Sequence, residues 1–252
     1  MSYFAVENLS LRFGGLHALR GLSFGVDKGE VFAVIGPNGA GKTSLFNVVT
    51  RVFAPNEGRV LFKDRDITAI PRHRVVAEGI ARTFQNIELF EDESVLENLM
   101  LGRHRFPQGN LFSQVCRLPS VRRADEASRE NVERIIELLD LAPYRHRPVA
   151  GLPYGVRKVV ELARALATGP ELLLLDEPAS GLNPAETRGL AFWIDSIRRD
   201  LGITVVMIEH DMSLVSEIAD RVLCMNMGAM LAVGTAGEVQ AHPDVVTAYL
   251  GA

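Results

Sequence analysis

Val31-Phe-Ala-Val-Ile35 runs directly into Gly36-Pro-Asn-Gly-Ala-Gly41-Lys42-Thr43. Five consecutive apolar residues, three of them Val or Ile, predict a strand that is covered on both faces, as in a parallel α/β sheet. The next eight residues fit G-x-x-x-x-G-K-[ST], in which glycines let backbone N–H groups turn inward around an anion. Helical spacing over 42–52 aims a positive helix end at the same anion. This stretch therefore predicts a phosphate-binding loop in an α/β protein.

Two side chains at the end of this loop have different predicted tasks. Lys42 can reach the outer phosphates of a nucleotide, and the Thr43 hydroxyl can bind Mg²⁺. Lys42 is one of only four lysines in the chain, against 23 arginines. The candidate phosphate-binding residues are Gly36, Pro37, Asn38, Gly39, Ala40, Gly41, Lys42, Thr43 and Ser44.

A second apolar strand, predicted over 172–175, ends in two adjacent carboxylates, Asp176 and Glu177. Ligands of open α/β sheets bind at the carboxyl ends of the strands. Asp176 is therefore expected to hold Mg²⁺ through its water shell, and Glu177 to orient or deprotonate an attacking water. A third apolar strand is predicted over 203–208 and ends before His210.

The rest of the chain alternates between strand and helix patterns. Such alternation predicts an α/β protein with an open, mostly parallel sheet. Residues 86–150 differ, because they carry helical spacing, and within them residues 100–150 hold nine arginines, no lysine and six acidic residues. We interpret them as a helical insertion. The other predicted strands are 4–12, 22–26 and 59–62, and the predicted helices are 94–104, 121–139, 156–167, 184–200 and 213–219.

Composition bounds the function classes. The chain has 252 residues, 47% hydrophobic and 23% charged, with a net charge of −4 and a pI of about 5.9. These values indicate a globular protein and give a nucleic-acid partner no support. Apolar runs stay well short of the ~18 residues of a membrane span, and the N-terminus lacks a secretory signal pattern. Two distant cysteines, Cys116 and Cys224, suggest buried thiols in a reducing compartment. We therefore expect a soluble cytoplasmic protein.

In their chain order these features resemble the nucleotide-binding subunit of ABC transporters. Gln85, in Arg82-Thr-Phe-Gln85, looks like the family's glutamine that touches Mg²⁺ or the attacking water. His210 looks like the switch histidine, which hydrogen bonds the γ-phosphate. Segment 181–184 looks like the loop that couples two subunits. Phe13 matches the aromatic that stacks on adenine, although such a strand aromatic also occurs in ordinary cores.

The resemblance implies an α/β fold with a P-loop NTPase (RecA-like) core, an N-terminal antiparallel β subdomain and an inserted helical subdomain. The implied cofactors are ATP and Mg²⁺, the implied catalytic residues are Glu177, His210 and Gln85, and the implied metal residues are Thr43, Gln85 and Asp176. The implied division of this single domain is 1–85 for the β subdomain and phosphate-loop core, 86–150 for the helical subdomain, 151–235 for the remaining core and 236–252 for a C-terminal helix.

The family's signature, LSGGQ, corresponds here to Leu152-Pro153-Tyr154-Gly155-Val156. In the family, its serine donates a hydroxyl to the γ-phosphate bound by the opposite subunit. Pro153 has neither a hydroxyl nor a backbone N–H. The N–H of Gly155 and the dipole of the following helix remain. The resemblance therefore implies that Leu152, Pro153, Tyr154 and Gly155 make a weakened contact with ATP across a dimer.

Three local segments resemble the branched-chain amino-acid uptake subfamily: 11–16, 177–184 and 242–251. Urea, short-amide and some lipid transporters have very similar ATPases, so these cargoes stay open as alternatives. The implied partners are ATP, a second ATPase subunit that is identical or homologous, transmembrane permeases and, indirectly, a substrate-binding protein, with no nucleic acid. The implied location is the cytoplasmic face of the inner membrane, where the subunit is peripheral.

Two further classes are weighed against this reading. A soluble ABC ATPase acting on nucleic acid or the ribosome usually carries two cassettes or a long coiled-coil insertion, and this chain has neither. A GTPase needs an Asn-Lys-x-Asp guanine-reading motif, and none of the four lysines (Lys28, Lys42, Lys63, Lys158) lies in one.

Overall fold

The computed structural model describes residues 2–83, 87–103 and 119–250, which form a six-stranded mixed sheet and a four-stranded antiparallel sheet. The six-stranded sheet has the order β10-β9-β3-β8-β7-β6, and the four-stranded sheet the order β2-β1-β4-β5. The strands are β1 (Phe4–Phe13), β2 (Leu16–Val26), β3 (Val31–Ile35), β4 (Glu57–Phe62), β5 (Arg65–Asp66), β6 (Ile80–Arg82), β7 (Leu172–Asp176), β8 (Thr204–Ile208), β9 (Arg221–Asn226) and β10 (Ala229–Gly234).

Helices cover the sheets and make up most of the described residues between β6 and β7, as predicted for an α/β fold with a helical insertion. They are α1 (Lys42–Val49), α2 (Val95–Gly102), α3 (Pro119–Leu138), α4 (Tyr154–Ala167), α5 (Pro184–Leu201), α6 (Met212–Ile218), α7 (Ala236–Ala241) and α8 (Pro243–Leu250). Of the helices described, none has both the length and the apolar character needed to cross a bilayer. The domain boundaries proposed from the sequence stay a prediction.

Strands β3, β7 and β8 pair in parallel, and every residue in them is buried. The prediction that these apolar strands are covered on both faces is confirmed. Alternate side chains enter two separate cores, because successive side chains of a strand point to opposite faces. Phe32 and Val34 pack with α1 and the antiparallel sheet, whereas Ala33, Leu173 and Leu175 pack with α4, α5 and α6.

Several helix ends differ from their predicted positions. Helix α1 stops at Val49 rather than at 52, because Arg51 adopts a left-handed backbone (φ 59°). Residues 236–252 were predicted as one helix, and this is wrong. The described part forms α7 and α8, separated at His242, whose extended backbone (ψ 127°) is typical of a residue before proline.

Strands β9 and β10 were not predicted. Their connecting turn, Met227-Gly228, packs across the phosphate loop. The N–H of Gly228 donates to the carbonyl of Ala40 (2.9 Å), and its carbonyl accepts from the N–H of Arg20 in β2 (2.8 Å). Backbone hydrogen bonds of this turn, which belongs to the mixed sheet, therefore join it to the phosphate loop and to the antiparallel sheet.

Cys224 in β9 is buried, as predicted, and burial raises the pKa of its thiol to about 11. A thiol with so high a pKa stays protonated at neutral pH and reacts slowly. Cys116, also predicted to be buried, lies outside the described residues.

Replacing Gly228 by alanine should destabilise the protein by about 1–3 kcal/mol. Gly228 has φ +82°, which non-glycine residues rarely adopt, and an added Cβ would lie 2.7 Å from the carbonyl oxygen of Ala18. Urea denaturation measures the free energy of unfolding. Gly237→Ala is the matched control, since Gly237 lies in α7 with no atom within 4 Å of an added Cβ. Equal stability of the two variants would contradict the interpretation of the Met227-Gly228 turn.

Candidate functional site

The phosphate loop, residues 36–43, lies between β3 and α1, as its sequence predicts. Gly36 (φ +146°) and Gly41 (φ +101°) have backbones that favour glycine. A Cβ on Gly36 would collide with the carbonyl oxygen of Met225, and one on Gly41 would lie 2.5 Å from that of Ala18. These two glycines are therefore required by close backbone packing as well as by the shape of the loop.

Lys42 is the first residue of α1, and its ammonium group turns back over the loop. Nζ donates to the carbonyl oxygens of Gly36 (2.6 Å) and Pro37 (3.1 Å). Burial lowers the pKa of Lys42, against the opposing effect of the nearby Glu177 and Asp176 carboxylates. The ammonium is thus held by backbone oxygens of the loop and feels the negative charge of two acidic side chains.

A cavity of ≈ 420 Å³ opens over the phosphate loop. Its wall contains residues 38–44, the Glu177 carboxylate and, from the antiparallel sheet, Phe13 and Leu16. Phe13 is exposed and meets Phe53 edge to face, with ring centroids 5.0 Å apart. An exposed aromatic face that a second ring holds in place suits stacking on a flat base. The cavity thus joins a base-sized apolar wall to an anion-binding loop and a carboxylate.

Asp176 ends β7 and is paired with Arg82, the last residue of β6. Arg82 Nη2 lies 2.7 Å from Asp176 Oδ2, and the two side chains are only 6% and 4% exposed. Arg82 also donates to Asn47 of α1 (2.8 Å) and lies over the Phe46 ring. The carboxylate predicted to hold Mg²⁺ is therefore fixed by a buried cation that the sequence analysis did not single out.

Glu177 lies just beyond the end of β7 in a left-handed backbone conformation (φ 49°). Its N–H donates to the carbonyl of Ile208 in β8 (2.9 Å), which continues the strand pairing by one residue. Non-glycine residues with such backbones occur often at functional sites. The strained backbone directs the Glu177 side chain into the cavity wall rather than into the core.

His210 follows β8, and its side chain is 63% exposed. It stands outside the group of described residues that line the cavity. Its neighbour Glu209 is fully buried and accepts the N–H groups of His210 and Asp211. Glu209 is a second residue that the sequence analysis missed, since one carboxylate after an apolar strand carries no local signal of its partners.

Gln85 lies outside the described residues, so its role stays a prediction.

Residues 152–155 lie apart from the cavity, at the start of α4. Pro153 occupies the N-cap position, and no side chain caps this helix. The Tyr154 hydroxyl donates to the carbonyl of Ser180 (3.4 Å), and the Tyr154 ring packs against Gly181. Gly155 abuts the Glu186 carboxylate, which caps α5 together with Asn183. Within one chain, this segment therefore contacts the loop that follows Glu177 and not the phosphate loop.

Comparisons with known proteins give a consistent family. Residues 19–180 match the family model described as ABC transporter, and residues 229–252 match that described as branched-chain amino acid ATP-binding cassette transporter. The high-affinity branched-chain amino acid transport ATP-binding protein BraF of Pseudomonas aeruginosa is 39% identical over 246 residues, covering 98% of this chain and 96% of that protein.

Two further similarities also extend over nearly the whole chain. LivG of Escherichia coli K12, a protein with the same description, is 39% identical over 247 residues, covering 98% and 97% of the two chains. A crystal structure shows an ATP-binding cassette of an ABC transporter in its ADP conformation. The sequence of that chain is 33% identical, and its structure superposes with a TM-score of 0.87 over the full length of both chains.

Replacing Arg82 by methionine should cost about 3–5 kcal/mol of stability, because the Asp176 charge would stay buried without its partner. Arg59→Met provides the control, since the Arg59–Glu7 pair is 56% and 41% exposed and is worth about 0–1 kcal/mol. Chemical denaturation of both variants measures the difference. A loss below about 1 kcal/mol in Arg82→Met would contradict the importance given to the buried pair.

Proposed function

The chain belongs to the ABC transporter family, and we propose that it binds and hydrolyses ATP to drive the import of branched-chain amino acids. The observation that carries the proposal is the single cavity shared by the phosphate loop, Phe13 and Glu177. The cargo is supported by the two named relatives, which match over nearly their full length, and by the family match of residues 229–252.

The phosphate loop and Lys42 would bind the β- and γ-phosphates of ATP, with the adenine against Phe13. Mg²⁺ would be held by the Thr43 hydroxyl and, through its water shell, by the Asp176 carboxylate, with Gln85 as a further candidate. When bound, it neutralises charge on the phosphates. These donors fit Mg²⁺, which takes one or two carboxylates beside phosphate oxygens. In the described parts of the chain, no cluster of three or more His, Cys, Asp or Glu residues could hold a metal by itself.

Glu177 would orient the attacking water and accept its proton. The water oxygen bonds to the γ-phosphorus, the bond from that phosphorus to the bridging oxygen breaks, and ADP and inorganic phosphate leave. His210 would hydrogen bond the γ-phosphate. The strand pairing that fixes the Glu177 backbone supports its role, because an aligned base contributes only when its position is held.

A second subunit, identical or homologous, would complete the site. Because residues 152–155 lie away from the cavity of their own chain, they are available to face ATP bound by a partner. Closure of the pair would pull on transmembrane permeases docked near Gln85 and the 86–150 helices. These permeases would receive cargo from a substrate-binding protein. The subunit would then lie on the cytoplasmic face of the inner membrane.

Glu177→Gln should keep ATP binding but lower turnover by roughly 10²-fold or more, since the amide cannot accept the proton of the water. The variant should therefore accumulate as an ATP-bound dimer. Phosphate release, ATP titration and gel filtration with ATP measure the three effects. Glu217→Gln makes the same chemical change on an exposed face of α6 and serves as the control.

The same variant tests the cargo in cells. Cells lacking the chain should lose uptake of leucine, isoleucine and valine, and the wild type but not Glu177→Gln should restore it. Unchanged turnover in Glu177→Gln would overturn the catalytic assignment. Loss of urea, amide or lipid transport with normal leucine uptake would overturn the cargo.

Pro153→Ser should strengthen dimerisation when introduced into the Glu177→Gln variant. Serine fits the N-cap backbone of residue 153 (φ −53°, ψ 150°) and restores a hydroxyl that can reach a phosphate. A hydrogen bond to a charged group is worth about 1.5–3 kcal/mol, so the ATP concentration for half-maximal dimerisation should fall by roughly tenfold.

Pro148→Ser is the matched control for this substitution. Pro148 is the N-cap of a short 3₁₀ helix, Val149–Gly151, and has nearly the same backbone (φ −58°, ψ 141°), but it lies outside segment 152–155. An equal shift in both variants would mean that the effect comes from losing a proline and not from the hydroxyl.

A further inference from the structure

The Glu209 side chain is the most deeply buried acidic group near the site, with 0% exposure. Its two oxygens accept three backbone N–H groups. Oε1 accepts from Ala179 (2.8 Å), while Oε2 accepts from His210 (2.8 Å) and Asp211 (3.1 Å). A buried carboxylate is tolerated only when it is well hydrogen bonded, so these three bonds account for its place in the core.

The three donors belong to two segments that the proposed reaction needs. Ala179 is two residues after Glu177 and is joined to it through Pro178, whose ring restricts the backbone. His210 and Asp211 form the loop that carries the proposed γ-phosphate contact. Glu209 thus ties the backbone that follows the proposed base to the backbone of the proposed switch histidine.

Glu177 is held on both sides by the end of β8. Its N–H donates to the Ile208 carbonyl (2.9 Å), and the Ala179 N–H donates to the next residue, Glu209. Glu209 in turn donates its own N–H to the Val34 carbonyl of β3 (3.3 Å), two residues before the phosphate loop. The Glu209 backbone and side chain therefore connect three strand ends.

We propose that Glu209 is a positioning residue for ATP hydrolysis, which sets the spacing between Glu177 and His210 without touching ATP. The proposal rests on the roles given to these two residues under the proposed function. Its action is on the alignment of the attacking water and not on nucleotide affinity, because the phosphate loop keeps its own backbone bonds to Gly228.

Glu209→Gln tests this with almost no change of shape. A glutamine has one acceptor oxygen, and its amide group carries two donors. Whichever way the amide is turned, its NH₂ group faces either the Ala179 N–H or the N–H groups of His210 and Asp211. Either Ala179 or the His210–Asp211 segment must therefore lose its hydrogen bonding to residue 209.

Turnover should be divided by the number of ATP-binding sites, which ATP titration measures. Unfolded protein binds no ATP and is therefore left out of the turnover number. Glu209→Gln should lower turnover about 10- to 100-fold, as expected for a small misplacement of reacting groups. The ATP dissociation constant should stay within about twofold. Glu209→Asp keeps the charge but shortens the side chain, and should fall between the wild type and Glu209→Gln. Glu217→Gln should behave as the wild type.

A double-mutant cycle with His210→Ala separates positioning from general damage. If Glu209 acts through His210, its substitution should cost less in the His210→Ala background than in the wild type. Turnover of Glu209→Gln within about threefold of the wild type would overturn the proposal, as would equal losses in turnover and ATP affinity. Fully multiplicative effects in the cycle would also overturn it.

The result also separates this inference from the proposed function. If Glu177→Gln and His210→Ala both keep full turnover, the proposed catalytic roles fail, and the inference fails with them. If those two variants lose turnover while Glu209→Gln keeps it, only the role of Glu209 is wrong.

Discussion

The parallel pairing of β3, β7 and β8 is the constraint on which the site depends. All three strands are buried along their whole length and paired in register, so their carboxyl ends meet at one edge of the sheet. The residues directly after them are Gly36, Glu177 and Glu209. The phosphate loop, the proposed base Glu177 and the Glu209 carboxylate are therefore adjacent, because the hydrophobic core aligns the strands that precede them.

Local patterns in the sequence carried much of this arrangement. Apolar runs identified the three central strands, and the glycine spacing identified the loop, because each depends on neighbouring residues only. Strand β10 was not predicted because it lies at the sheet edge and is only partly buried, and its sequence lacks the clear alternation of a half-covered strand. The helix end at Val49 was missed because it depends on a left-handed residue that is not glycine.

Contacts between distant parts of the chain were beyond such patterns. Arg82 and Asp176 are 94 residues apart, and Ala179 and Glu209 are 30 apart. The first pair requires β6 to lie beside β7, and the second requires β7 to lie beside β8, so neither residue type nor local spacing marks them. Both contacts bury a carboxylate, which adds little net stability but makes alternative arrangements costly. Such groups define one geometry for the site more than they strengthen the fold.

The turn between β9 and β10 has a further consequence for experimental design. Its backbone is fixed to the phosphate loop through Gly228 and Ala40, while the neighbouring residue Met227 is 69% exposed and does not line the cavity. A spectroscopic label attached at position 227 would therefore move with the loop without obstructing it. Position 227 is thus a labelling site on the protein surface from which motions of the nucleotide pocket can be followed over time.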